Sequence, residues 1–192
     1  MSFTGTEKIT LNLQYSYTLN IYGNLDLAGG SSQCSIYFGT LAFKATSGTK
    51  TINTNGVVLE VNTIDFNGSG GTFQLSSDLE IDGATYSRIK KTNGTFDPNN
   101  HKVTFSGQSD MYTQSVNYYD LEIEGTASKT NKLTIENSNF TVSNTLTTSG
   151  NSAINRILVC SNTLGTQRTI TSASNTITNA DFRDIKGAGA GS

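Results

Sequence analysis

Polar and apolar residues alternate along much of the chain, and one hexamer recurs in which this alternation ends in glycine. Alternation with a period of two is typical of a β-strand with one buried face, because successive side chains point to opposite sides. The pattern puts Leu79 and Ile81 on one side and the acids Asp78 and Glu80 on the other. Its copies are TLNIYG (Thr18–Gly23), TIDFNG (Thr63–Gly68), DLEIDG (Asp78–Gly83), KVTFSG (Lys102–Gly107) and DLEIEG (Asp120–Gly125), with KLTIEN (Lys132–Asn137) ending in Asn.

A second recurring element is a Gly-Thr pair that leads into an apolar strand, in GTLAF at Gly39, GTFQL at Gly71 and GTFDP at Gly94. No amphipathic helical period of useful length occurs, so the chain is expected to be all-β. Similar segments at uneven spacing indicate stacked coils, because the strands of a solenoid must superimpose while its loops can vary. The pattern predicts a parallel β-helix of about eight or nine turns, each of about 20 to 25 residues.

An antiparallel β-sandwich or jelly roll is the alternative, because several dipeptides are good hairpin turns. They are Asn55-Gly56, Asn67-Gly68, Asp82-Gly83 and Asn93-Gly94. Thr, Asn and Gly make up 68 of the 192 residues, with one Pro and no Trp, and this composition describes many short strands joined by turns. It favours the β-helix, because Asn and Thr can stack in ladders between turns.

The net charge and the hydropathy of the chain limit the classes of partner that can be expected. The net charge of −2 and the pI near 5.3 argue against nucleic acid or an anionic membrane as the main partner. No apolar stretch approaches the ~18 residues of a membrane helix and no signal peptide begins the chain, so membrane insertion is not expected. Cys34 and Cys160 lie far apart in sequence and are predicted to be buried thiols; no metal or cofactor is expected.

Four Thr-, Gly- and Asn-rich segments carry a resemblance: KATSGTKTINTNG (Lys44–Gly56), DFNGSGGTFQLSSDLEIDG (Asp65–Gly83), NGTFDPNNHKVTFSG (Asn93–Gly107) and TITNADFRDIKGAGA (Thr176–Ala190). They resemble the β-helix repeats of large bacterial surface proteins and of phage virion proteins. The resemblance implies a right-handed parallel β-helix in an extracellular or virion setting. It carries no catalytic signature to transfer, and the chain stops soon after ADFRDI, where such proteins usually continue.

The acids of the hexamers are candidates for sugar chemistry. Residues two apart on a strand lie ~6.6 Å apart on one face, so Asp78 and Glu80 fall near the carboxylate spacings of glycosidases. Aligned on their apolar pairs, the hexamers give a column of alternating charge, Asp78, Lys102, Asp120 and Lys132. If these strands are neighbours, the charges form favourable cross-strand pairs on a solvated face. We therefore interpret the acids as structural rather than catalytic.

Other candidate chemistry is sparser. Asp181, Arg183 and Asp184 in DFRD would suit a lyase of acidic sugars, although on a terminal turn they more often form a polar cap. His101 lies in a turn-like segment without a nucleophile motif beside it, so no catalytic residue is predicted. Three tyrosines are candidate glycan contacts, since aromatic rings stack on sugars: Tyr112, Tyr118 and Tyr119. Packing at the rim of a turn is the alternative for them.

The N-terminal segment LNLQYSYTLNIY alternates without a break over eleven residues, longer than a usual strand. It either caps the first turn or docks another subunit, because an exposed apolar strand face would otherwise aggregate. The candidate docking residues are Leu11, Leu13, Tyr15, Tyr17, Leu19 and Ile21.

These observations predict three segments: a capping or docking strand over 1–24, β-helix repeats over 25–186 and a Gly-rich tail over 187–192. The expected function is that of a non-enzymatic structural protein, a β-helical component of a virion (phage tail or fibre) or of a surface assembly. It would act as a homo-oligomer or with other structural subunits, in a virion or outside the cell. A carbohydrate-binding adhesin module or a polysaccharide-degrading β-helix enzyme is the alternative, with a polysaccharide as partner.

Overall fold

A computed structural model describes residues 9–12, 16–27, 34–83, 85–107 and 110–191, without the side chains of 9–12 and 34–38. This part of the chain is all-β. Its strands are β1 Ile9–Asn12, β2 Thr18–Ile21, β3 Leu25–Asp26, β4 Cys34–Phe43, β5 Thr49–Asn53, β6 Val58–Phe66, β7 Thr72–Leu75, β8 Leu79–Ile81, β9 Tyr86–Lys91, β10 Thr95–Asp97, β11 Lys102–Phe105, β12 Asp110–Gln114, β13 Asp120–Glu124, β14 Asn131–Ile135, β15 Phe140–Ser149, β16 Ile157–Ser161, β17 Arg168–Thr178, β18 Ala180–Arg183 and β19 Ile185–Ala188.

The strands stack as a parallel β-helix, which confirms the predicted fold. Every strand pair in the described residues is parallel, so the antiparallel sandwich is excluded. The stacks form three faces. Each of four long strands, β4, β6, β15 and β17, turns a corner and belongs to two faces. Face 1 contains β1, the first halves of β4 and β6, β8, β11, β13 and the second halves of β15 and β17. Face 2 contains β2, the second halves of β4 and β6, β9, β12, β14, β16 and β18. Face 3 contains β3, β5, β7, β10, the first halves of β15 and β17, and β19.

The solenoid has about seven turns, so the expected eight or nine was too many. The turns differ in length because the corners differ. Lys102 pairs with Asp120, 18 positions later, whereas Phe140 pairs with Ile170, 30 positions later. At ~4.8 Å per turn, the stack is roughly 34 Å long.

The apolar positions of the hexamers fill the interior. Ile81, Phe105 and Ile123 occupy matched positions in successive turns of face 1, and each is almost completely buried. Between faces 2 and 3, phenylalanine rings of successive turns pack with centroids 4.5 to 5.9 Å apart, namely Phe43, Phe66, Phe73 and Phe96. The Phe43–Phe73 pair is tilted and the other ring pairs are stacked. Aromatic contacts of this kind add to the burial of apolar surface that holds the turns together.

Asparagine and glycine residues form several of the corners between strands. Asn55 and Gly56 have φ values of 47° and 77°, a left-handed backbone that Asn tolerates better than most residues and that Gly adopts without a penalty. They join β5 to β6, which stack on different faces, so this Asn-Gly turns a corner instead of forming a hairpin. A side-chain ladder links two corners, where Asn162 Nδ2 donates to Asn137 Oδ1 at 3.0 Å.

Candidate functional site

The acids of the repeated hexamers lie on the outside of face 1. Lys102 is in register with Asp120, and the pairing of β11 with β8 places Asp78 on the other side of Lys102. This confirms the alternating column for these three residues. Lys132 belongs to face 2 instead, where its Nζ lies 3.1 Å from Asp110 Oδ2 of the preceding turn. The hexamer alone does not distinguish the two faces, because both require the same alternation.

Carboxylates on the outside of face 1 bond to neighbouring turns. Lys102 Nζ donates to Glu122 Oε2 at 2.6 Å, and Glu122 lies two positions beyond Asp120, the register partner of Lys102. The backbone N–H of Lys102 donates to Asp78 Oδ1 at 2.9 Å. Ser106 Oγ donates to Glu80 Oε1 at 2.7 Å. These acids therefore accept hydrogen bonds across the gap between turns.

Asp120 makes the same kind of contact at the next level of the stack. Its Oδ1 accepts from the backbone N–H of Thr145 at 2.8 Å and from Asn144 Nδ2 at 2.9 Å. Charge-assisted bonds to backbone N–H groups are stronger than neutral ones. Asp120 thus fixes the corner at which β15 passes from face 3 to face 1.

Two carboxyl groups on face 1, those of Asp82 and Glu124, have a raised pKa. Burial, followed by the negative charges of Glu60 and Glu80, raises the pKa of Asp82. Burial also raises the pKa of Glu124, and Glu122 and Glu80 add to that shift. A cleft of about 200 Å³ lies beside Glu124 and is lined by Glu80, Lys102 and Glu122 among others. In the part of the chain that the structure describes, no three His, Cys, Asp or Glu side chains are placed to hold a metal ion.

The DFRD segment does not form the predicted polar cap. Asp181 accepts from Arg156 Nε at 2.7 Å and from its second guanidinium nitrogen at 2.9 Å, so it binds the outside of the preceding turn. This bidentate pair lowers the pKa of Asp181. Asp184 Oδ2 accepts from the backbone N–H of Gly165 at 3.1 Å, also on the outside. Phe182, which points toward the axis, is left at the end of the stack.

The three tyrosines proposed for glycan contact are in different environments. Tyr118 is completely buried, with its hydroxyl 2.7 Å from Thr113 Oγ1, so the proposed glycan contact is wrong for this residue. Its ring packs edge-on against Phe140, and burial raises its pKa. Tyr112 and Tyr119 are half-buried. Tyr118 points inward because it forms a parallel β-bridge with Val142 of face 3, whose side chain is also buried.

Sequence reasoning missed a cluster around Tyr112. The Arg88 guanidinium lies 5.0 Å from the ring centre of Tyr112 and 5.3 Å from that of Tyr86, and it also bonds to Glu136 at 3.0 Å. Tyr112 borders an open cleft of about 260 Å³ that Lys132 and other polar residues also line. Arg88 and Tyr112 are 24 positions apart in the sequence, and this spacing indicates that they are neighbours only once the length of a turn is known.

The N-terminal segment is described in two pieces, and both pair with β4. β1 pairs with the first half of β4 on face 1, where Asn12 is in register with Tyr37. β2 pairs with the second half of β4 on face 2, where Thr18 is in register with Thr40. The continuous strand predicted over this segment includes residues 13–15, which lie outside the described residues.

The proposed docking side chains are divided accordingly. Ile21 is buried in the core and Leu19 packs partly against it, so these two residues hold the first turn together. Tyr17 is 57% exposed. Leu13 and Tyr15, and the side chain of Leu11, lie outside the described residues.

Other residues singled out in the sequence are His101 and the two cysteines. His101 Nδ1 lies 3.4 Å from Asp78 Oδ1 at a corner. Cys160 is a buried free thiol, as predicted, whereas the side chain of Cys34 is outside the described part. Nowhere in the described residues is there a helix with the length and apolar character to cross a membrane. Compared with known proteins, the chain matches no family model, no curated protein and no solved structure.

Proposed function

We propose that the chain is a non-enzymatic structural protein, a β-helical element of a virion or of a cell-surface assembly. The observation that carries this proposal is that its acidic side chains form hydrogen bonds between turns. The acids that the sequence offered for sugar chemistry, Asp78, Glu80 and Asp181, each accept a hydrogen bond from a neighbouring turn. Asp120 and Glu122 of the second acidic hexamer do the same.

A carboxyl group that serves as a general acid needs a raised pKa, and the pKa of Asp181 is lowered. The pKa is raised at Asp82 and Glu124, with burial as the first cause, so the polysaccharide screen also includes Glu124→Gln.

The rod shape supports the same proposal. Parallel turns satisfy the backbone hydrogen bonds along the axis and give a stiff element whose length follows from the number of turns. The resemblance to repeats of surface and virion proteins agrees with this role. In that setting the chain works with further copies of itself or with other structural subunits, outside the cell or in a virion.

The experiment is a screen of neutral and acidic polysaccharides for released reducing ends, with Asp120→Ala, Asp181→Ala and Asp97→Ala compared with the native chain. Asp97 accepts a bond from Gln74 on face 3 and is the matched control. We expect no turnover from any of the proteins. We also expect a lower melting temperature for Asp120→Ala, because it leaves the backbone N–H of Thr145 without its acceptor. Turnover by the native chain that disappears in Asp120→Ala or Asp181→Ala would overturn the proposal.

A carbohydrate-binding module is the second candidate, and the cleft beside Tyr112 is the observation that favours it. Its ring and the nearby Lys132 could contact a sugar face and an acidic substituent. Binding on a glycan array that is lost in Tyr112→Ala and kept in Tyr22→Ala would support this candidate. Tyr22 is an exposed tyrosine next to β2 and does not border the cleft.

A further inference from the structure

Asparagine is followed by glycine at three corners of the solenoid, and the three pairs are packed differently. Asparagine is a thermolabile residue, and a following glycine makes it more so, because glycine has no side chain to keep its backbone nitrogen away from the asparagine amide. The pairs are Asn55-Gly56, Asn67-Gly68 and Asn93-Gly94. Their sequences are alike, so any difference in reactivity between them comes from the fold.

The pair at the corner between β5 and β6 is open to solvent. Asn55 and Gly56 are both exposed, and a Cβ atom added to Gly56 would meet no other atom within 4 Å. They are the central residues of a tight turn, which the N–H of Val57 closes by donating to Thr54 O at 2.9 Å. The N–H of Gly56 has no hydrogen-bond partner in the described residues. The nitrogen of Gly56 is therefore not held in place by another group of the fold.

The other two glycines are packed against neighbouring turns. A Cβ atom added to Gly68 would lie 1.8 Å from the carbonyl oxygen of Ala45. A Cβ atom added to Gly94 would lie 2.6 Å from the ring of Phe73. The N–H of Gly94 also donates to Phe66 O at 3.1 Å. These contacts must open before either glycine nitrogen can move.

The asparagine side chains of these two packed pairs are held as well. Asn93 Nδ2 donates to Asn67 Oδ1 at 2.7 Å, in a ladder between turns. A reaction at either amide requires this bond to break. A site that must open locally reacts only during the fraction of time in which it is open.

We propose that Asn55 is a site of spontaneous deamidation, which the fold selects from the three Asn-Gly pairs. The nitrogen of Gly56 attacks Cγ of Asn55, so that a new N–Cγ bond closes a succinimide ring and the Cγ–Nδ2 bond breaks. The proton of the Gly56 N–H leaves with the side-chain nitrogen as ammonia. Water then opens the ring at one of its two carbonyl groups, which gives aspartate or isoaspartate. Water is the co-reactant, and nothing is oxidised or reduced.

The product places a negative charge where the fold already concentrates acids. Gly56 lines the cleft of face 1 together with the carboxylates described there. A carboxylate at Asn55 adds a like charge at the edge of this cleft. Isoaspartate also lengthens the backbone of a turn whose flanking residues, Thr54 and Val57, are buried. Deamidation therefore weakens the corner between faces 3 and 1, and this inference does not depend on the proposed function.

The experiment keeps the full chain at mildly alkaline pH, folded in one series and in urea in the other, and follows each pair by peptide mass spectrometry. The change of an amide to an acid is read from the mass, fragmentation assigns it to one pair, and chromatography separates aspartate from isoaspartate. In the folded chain we expect conversion at Asn55 to be at least about tenfold faster than at Asn67 and Asn93, because those two sites must first open. In urea we expect the three rates to be similar.

Asn55→Gln is the test variant and Asn93→Gln is its matched control, since the longer side chain of glutamine closes the ring far less readily. Ion exchange should show an acidic form that accumulates in the native chain and in the control and is lost in Asn55→Gln. This acidic form should melt at a lower temperature than the fresh chain, and equal melting temperatures would contradict the weakening of the corner.

Two results from the native chain alone would overturn the proposal. One is conversion at Asn55 in the folded chain that is no faster than at Asn67 and Asn93. The other is a preference for Asn55 that is as large in urea as in the folded chain, because the sequence and not the fold would then select the site. Neither result bears on the polysaccharide screen, so the two proposals fail separately.

Discussion

Replacing Ile123 tests the assignment of inner and outer faces directly. Ile123 is 1% exposed and lies between Phe105 of the turn before and Thr148 of the turn after. Ile123→Ala should lower the free energy of unfolding by about 2 to 5 kcal/mol, because it removes buried methyl groups and leaves a cavity that stacked turns cannot easily close. Ile123→Asp adds about 2 to 7 kcal/mol for an uncompensated polar group, which approaches the whole stability of a domain. Little of that variant should fold.

The control is the next residue, Glu122, which points outward. Glu122→Gln weakens its ion pair with Lys102, whose side chain is 43% exposed, and pairs of this kind contribute about 0 to 1 kcal/mol. Urea denaturation followed by circular dichroism measures both changes on the same chain. Equal losses of stability for Ile123→Ala and Glu122→Gln would refute the assignment of faces.

Three further outcomes are expected. Asp82→Asn should raise the melting temperature at pH 7 and have little effect near pH 4: burial and neighbouring carboxylates raise the pKa of Asp82 in the folded chain, so stability falls as the pH rises through this range, and an equal effect at both pH values would count against that cause. Thr148→Val should raise the free energy of unfolding by about 1 kcal/mol in urea titrations, because the buried Oγ1 of Thr148 has no hydrogen-bond partner in the described residues; a loss of stability would indicate a missed partner. Removing residues 1–17 takes away β1 and should abolish oligomers in light scattering while the later turns keep their β signal in circular dichroism; an equally soluble and equally assembled chain would exclude a role for this segment.

The stacking of the turns could be predicted from the sequence because one physical requirement repeats. Inward positions such as Ile81 and Ile123 must be apolar in every turn, so the alternation appears in each hexamer. The face on which a hexamer lies could not be predicted, since faces 1 and 2 impose the same requirement. Lys132 was therefore aligned with Asp120 although it pairs with Asp110.

The sites were less accessible to sequence reasoning because they depend on residues a full turn apart. Tyr118 looked like Tyr112 in sequence, yet the corner before face 3 directs Tyr118 into the core. The contact of Asp120 with the N–H of Thr145 crosses 25 positions, a distance set by corner lengths that vary from turn to turn. Local periodicity carries no information about such lengths.

The uneven but short spacing between partner positions also determines how the chain responds to force. Strand partners are as few as 17 and as many as 30 positions apart, so each turn is held mainly by the turns beside it. A pull on the two ends of the chain loads the outermost turn first, and the turns behind it keep their own contacts. Peeling off one turn of roughly 24 residues releases about 80 Å of extended chain. The protein should therefore lengthen under tension in a series of short steps and shorten again turn by turn when the load is removed.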